Sequence, residues 1–161
     1  MAAVLSPNHQ AGVVWRVMRK RLSIARAFRY LGAVAVLATG VAHIEQYIVD
    51  NYSTVPTIGT LFLLNFIGAI VIAVGLIAPL GRIAGRYTDS VRAVMAIGGI
   101  GLGLLSLAGL FISETTGLFG FVEHGYRMAI VVAIVAEAAA VAFLVTFLAL
   151  NGIGLQKIRR S

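Results

Sequence analysis

Four long apolar stretches divide this chain, and when they are threaded back and forth across a layer, twelve of its thirteen Lys and Arg residues fall on one side. No water-soluble fold needs that arrangement. An α-helix requires roughly 20 apolar residues to cross the hydrocarbon of a bilayer. Residues 93–113 carry no charge, and the uncharged stretch 51–81 contains a second span. Two further stretches, 30–49 and 128–150, each hold a single acid, Glu45 and Glu137. The sequence therefore predicts helices over 29–49, 59–80, 91–112 and 128–150, and an all-α, four-helix transmembrane bundle. With 60% hydrophobic and only 12% charged residues, and a mean hydropathy of +0.96, the composition is that of a protein dissolved in lipid.

Positive charge is retained on the cytoplasmic side of a membrane, so the basic residues orient the spans. Arg16, Arg19, Lys20, Arg21, Arg26 and Arg29 precede the first span, Arg82, Arg86 and Arg92 lie between the second and third, and Lys157, Arg159 and Arg160 end the chain. Arg127 alone lies opposite. Both termini are thus expected in the cytoplasm, and the net charge of +7 reads as topology. A basic isoelectric point in a soluble domain suggests nucleic acid. Here the cations border lipid and face anionic headgroups, so the expected partner is the bilayer, with a membrane-protein partner or a homo-oligomer left open and no nucleic acid.

The chain divides into a basic segment 1–28, a membrane domain 29–150 and a basic cytoplasmic tail 151–161. Residues 1–12 read as a disordered tail. Over 13–28, Val14, Val17, Met18, Leu22, Ala25 and Phe28 share one helical face and Arg16, Arg19, Lys20, Ser23 and Arg26 the other. This amphipathic N-terminal segment is either an interfacial helix or a plain basic flank. The first apolar stretch exceeds the roughly 7 to 15 residues of a signal-peptide core and is read as a permanent helix. The absence of cysteine excludes disulfides, thiolate metal sites and thiol nucleophiles within the chain.

Small residues mark where helices can approach. Gly99, Gly103, Ser106 and Gly109 form one strip on the third span, and Ala133, Ala136 and Ala140 form another beside Glu137. Packing inside the bundle is the expected use of both, ahead of a dimer seam. Gly99-x-Gly101 has the look of a nucleotide motif but lacks the preceding strand that such a motif requires.

Polar residues are costly in lipid, and they gather in the half of the spans away from the arginines. His43 lies about 9 Å from the outer end of the first span, with Tyr47 one turn further on. Glu45 is turned about 200° away from His43 around the helix. Asn65 sits in the outer half of the second span. Glu137 falls near the bilayer centre, where an ionised carboxylate costs a few kcal/mol, a cost that protonation removes. It should face the bundle interior, either as a functional acid or as a protonated group bonding across to Asn65 or Tyr47. The connection at 113–127, with its apolar Gly-Leu-Phe-Gly-Phe core, Glu123 and His124, is expected to cap the bundle, Phe119, Phe121 and Tyr126 serving as interfacial aromatics. Glu114 and Glu123 also fit simple solvated flanks.

Taken together, His43, Tyr47, the string Val55-Pro56-Thr57-Ile58-Gly59-Thr60-Leu61-Phe62-Leu63-Leu64-Asn65 and the Gly-Leu-Phe-Gly-Phe-x-Glu loop resemble a group of small four-span bacterial membrane proteins, over about residues 28–150. The layout is also similar to that of the DoxX-like four-helix membrane proteins. What the resemblance implies is a bacterial inner-membrane location and a shared outer-facing feature, with no catalytic role attached.

Three function classes follow. The first is a non-enzymatic membrane protein, an accessory subunit or a binder of a small or lipophilic ligand in an outward-facing polar pocket lined by His43, Tyr47, Asn65 and Glu137, with Glu123 as a further ligand or proton-relay candidate. No spacing of nucleophile and base marks an enzyme. The second is a haem- or metal-binding redox protein using His43 and His124. The third is a proton-coupled transporter subunit centred on Glu137. The sequence requires no cofactor.

Overall fold

In the computed structural model, residues 7–123, 125 and 127–152 are described, the side chains of 7–15 and 18 excepted. The chain is an all-α bundle of four helices, α1 (Pro7–Val49), α2 (Pro56–Ile77), α3 (Thr88–Thr115) and α4 (Met128–Asn151). Each is long and apolar enough to cross a membrane, which makes this a multi-pass membrane protein. No strand occurs among the described residues, apart from one isolated bridge between Leu118 and Phe121.

Short connections force neighbouring helices to run antiparallel. The contacts confirm an up-down-up-down course: Asn65 meets Ser106 and Gly75 meets Met95 across α2 and α3, while Gly99 meets Leu144 and Gly103 meets Val141 across α3 and α4. Helix α1 is the central element. Half of its spanning segment is buried, against 17% for α2 and α3 and 33% for α4. Outward positions carry large apolar side chains, among them Val34, Val71, Leu105 and Val135, each more than half exposed and available to lipid.

Close approach comes from the small residues. A Cβ added at Gly32 would fall 2.5 Å from Leu144 Cδ2, one at Gly40 2.7 Å from Ala69 Cβ, and one at Gly99 2.6 Å from Leu144 Cδ1. The Gly99 and Gly103 strip therefore faces α1 and α4 of the same chain, and Ala133, Ala136 and Ala140 are buried with it.

Helix α1 departs from the expected segmentation. It starts at Pro7, inside the segment read as a disordered tail, and runs through residue 28 without a break. Nothing between Val13 and Phe28 is a helix breaker, and proline suits a first helical turn. The bundle also begins before residue 29, since Ala25 is 1% exposed and the Phe28 ring lies 5.9 Å from that of Phe143. The tail cations Lys157, Arg159 and Arg160 lie outside the described residues.

Candidate functional site

At the end of the bundle away from the arginine-rich connection, residues of all four helices line a cavity of about 470 Å³. Its walls are mainly apolar. Leu61 and Leu64 of α2 and Leu105 and Ile112 of α3 line it while also being exposed on the bundle surface, so it opens sideways between α2 and α3. Leu118, Phe119 and Phe121 cover it from the 116–127 connection. There Phe119 and Gly120 both have positive φ (51° and 81°), and Leu118 and Phe121 exchange backbone hydrogen bonds of 2.8 and 2.9 Å. That two-residue reversal is the primed hairpin turn, which suits glycine at its second position.

One polar cluster floors this apolar space. His43 Nδ1 lies 2.9 Å from the Thr39 carbonyl oxygen, one turn back on α1. Facing an acceptor, Nδ1 carries the ring proton, and in the neutral ring Nε2 accepts from the Ser106 hydroxyl at 3.0 Å. Asn65 Nδ2 donates to the same hydroxyl oxygen from α2 at 3.4 Å. Glu137 of α4, 2% exposed, places Oε1 3.7 Å from His43 Nε2. Each of the four helices thus contributes one polar side chain. Glu137 Oε1 and Asn65 Oδ1 are nonetheless buried without a hydrogen-bond partner, and both residues line the cavity.

A second cluster ties the outer connections together. Tyr52, 4% exposed, donates its hydroxyl proton to Glu123 Oε2 and accepts from Arg127. Arg127 also pairs with Asp50 at 3.2 Å and Glu123 at 3.5 Å, and its guanidinium lies 5.3 Å from the Tyr52 ring centre. Burial and the bond to Glu123 raise the Tyr52 phenol above its ordinary value. Phe62 stacks between the two clusters, its ring centre 4.9 Å from those of both His43 and Tyr52.

Against the sequence-based expectations, His43, Asn65, Glu137 and Glu123 all line the cavity. Tyr47 does not; Gln46 takes that place, because a three-residue step from His43 stays on the cavity side and the four-residue step passes beyond it. Glu137 does not bond Asn65 or Tyr47; Asn65 donates to Ser106 instead. Glu123 is no solvated flank: its side chain is 8% exposed. The pocket expected to be polar is apolar over most of its wall. Ser106, read only as a packing residue, is the hub of the site, and Gln46 gave no signal. Among the described residues no three His, Cys, Asp or Glu side chains converge as a metal-binding set, and His124 and Tyr126 lie outside those residues.

Comparisons with family models, with curated proteins and with solved structures find no match to this chain. Function is therefore read from the site's own geometry.

Proposed function

We propose that this chain is a non-enzymatic inner-membrane protein of a bacterium, with both termini in the cytoplasm, that binds a lipophilic molecule bearing a hydroxyl or amine head. The observation that carries this reading is the pair of buried, unpartnered acceptors, Asn65 Oδ1 and Glu137 Oε1, at the floor of an otherwise apolar cavity. A buried acceptor without a partner loses about 1–3 kcal/mol, which a donor on a ligand restores. The volume lies within the range of about 300–1,000 Å³ typical of small-molecule sites. The sideways opening lets the apolar body arrive from lipid, so that only the head must be desolvated. Loading from the bilayer needs no chemistry and no soluble carrier.

The test is purification of the full chain from native membranes in a mild detergent, followed by organic extraction and mass spectrometry, beside the variant Gly109→Phe. A Cβ at Gly109 meets only Leu118 at 3.6 Å, so the phenyl ring enters the cavity without opening the bundle. One amphiphile at near-equal ratio to the wild-type protein, missing from Gly109→Phe, supports the proposal. An equal lipid complement in both proteins counts against it. Orientation is tested separately by a reporter fused after Ser161, which should remain inaccessible from outside the cell.

A further inference from the structure

Four buried side-chain atoms among the described residues lack a hydrogen-bond partner, and they form two pairs. Asn65 Oδ1 and Glu137 Oε1 belong to the cavity. The others, Arg29 Nε and Arg92 Nε, are donors at the opposite end of the bundle, about 21 Å from His43 along α1 at 1.5 Å per residue.

Two arginines from different helices meet there because of helix register. Helices α1 and α3 run parallel, and His43 bonds Ser106 across an offset of 63 residues. Two turns down, Val36 sits 3.2 Å from the Cβ position of Gly99 at the same offset. Another two turns down, that offset brings Arg29 opposite Arg92, where two like charges on facing helices repel.

We propose that Arg29 and Arg92 form a binding site for a phosphate group, supplied by an anionic lipid headgroup or by phosphate in solution. Arg29 is 6% exposed, so its guanidinium does not escape into water as a surface arginine would. No acid among the described residues pairs with it. The acid beside Arg92, Asp89, is 3.9 Å away with its side chain 82% exposed, leaving Arg92 Nε unsatisfied. The Tyr30 ring, 4.7 Å from the Arg29 guanidinium carbon, holds that plane in place. Two guanidinium groups, each with a buried Nε–H that lacks an acceptor, match the oxygens of one phosphate, and a single anion between them removes both the repulsion and the two unmet donors. Basic sites between helices at a membrane edge take phosphate-bearing headgroups in this manner. The site is independent of the cavity and stands whether or not the cavity binds an amphiphile.

The experiment is thermal unfolding of the full chain in a neutral detergent with added phosphatidylglycerol, phosphatidylcholine or inorganic phosphate. A rise of several degrees with phosphatidylglycerol and none with phosphatidylcholine supports the site with the headgroup as its ligand; an equal rise with inorganic phosphate supports it with the free anion. The double variant Arg29→Gln/Arg92→Gln should lose the rise, and Arg82→Gln/Arg86→Gln, at exposed positions, should keep it. If the first double variant fails to fold, Arg92→Gln alone, at the less buried position, should lose most of the rise. No rise for the wild type with either phosphate source overturns the proposal. So does a full rise in the folded Arg29 and Arg92 variants.

Discussion

His43 and Ser106 hold the centre of the bundle together: one hydrogen bond of 3.0 Å joins parallel helices that otherwise touch little, Asn65 donates to the same hydroxyl, and Glu137 Oε1 lies 3.7 Å from the His43 ring nitrogen. Removing either partner strands the other in a dry place. Ser106→Ala and His43→Leu should each destabilise the protein. A double-mutant cycle should give a coupling of about 0.6–1.7 kcal/mol, the range seen for hydrogen bonds within membranes. Reversible unfolding in mixed micelles measures it. Strict additivity of the two substitutions would show that the bond contributes nothing.

Glycine spacing on α3 leads to a prediction of opposite sign at neighbouring positions. Gly99 faces Leu144, Val36 and Ile72, whereas a Cβ at Gly101 meets nothing within 4 Å. Gly99→Val should cost about 1–3 kcal/mol through overpacking. Gly101→Ala should be neutral or slightly stabilising, since it restricts the unfolded chain at a compatible helical site. Equal effects at both positions would remove Gly99 from the inner face.

Much of this architecture was legible in the sequence for a simple reason: hydrocarbon thickness fixes helix length and charge fixes the ends, so 93–113 and 128–150 declare spans without tertiary information. His43, Asn65 and Glu137 were legible because polar groups in lipid are expensive and must turn inward. Ser106 was not, because a serine in a glycine strip signals close packing as well as it signals a hydroxyl. Gln46 and Tyr47 differ only in the 3.6-residue period, and which of them reaches the cavity depends on where α3 and α4 stand. The continuity of α1 was hidden by its change of character, since residues before Phe28 look amphipathic and those after look buried. Arg127, the lone cation of its side, gained its explanation only when Asp50 and Glu123 were found beside it.

Alkaline pH should loosen the outer clamp. The Tyr52 phenol is raised in the folded protein, so folding holds its proton more tightly than the unfolded chain does. The associated stability is present below the unfolded value near 10 and is lost as pH rises through the folded one. Above pH 10 the stability of the wild type should fall more steeply than that of Tyr52→Phe, by up to about 1.4 kcal/mol per pH unit. Unfolding midpoints of both proteins between pH 8 and 11 check this; parallel curves would show that Tyr52 titrates normally.

Glu137 separates structural from binding roles most sharply. A carboxyl that is 2% exposed with an unpartnered oxygen weakens the empty bundle, because removing that group relieves a desolvation cost. Glu137→Leu should therefore unfold at higher denaturant concentration than the wild type in detergent, by about 1–3 kcal/mol. It should also lose most of the co-purifying amphiphile, because one of the two acceptors at the cavity floor is gone. Glu137→Gln keeps the size, leaves a carbonyl acceptor and removes any charge, so it should retain the ligand more weakly while unfolding near the wild-type midpoint. The two readouts move in opposite directions only if Glu137 serves the ligand at the expense of the fold. A Leu variant that is less stable than the wild type would instead identify the carboxyl as interhelical glue. Unchanged stability and unchanged ligand in both variants would remove it from either role.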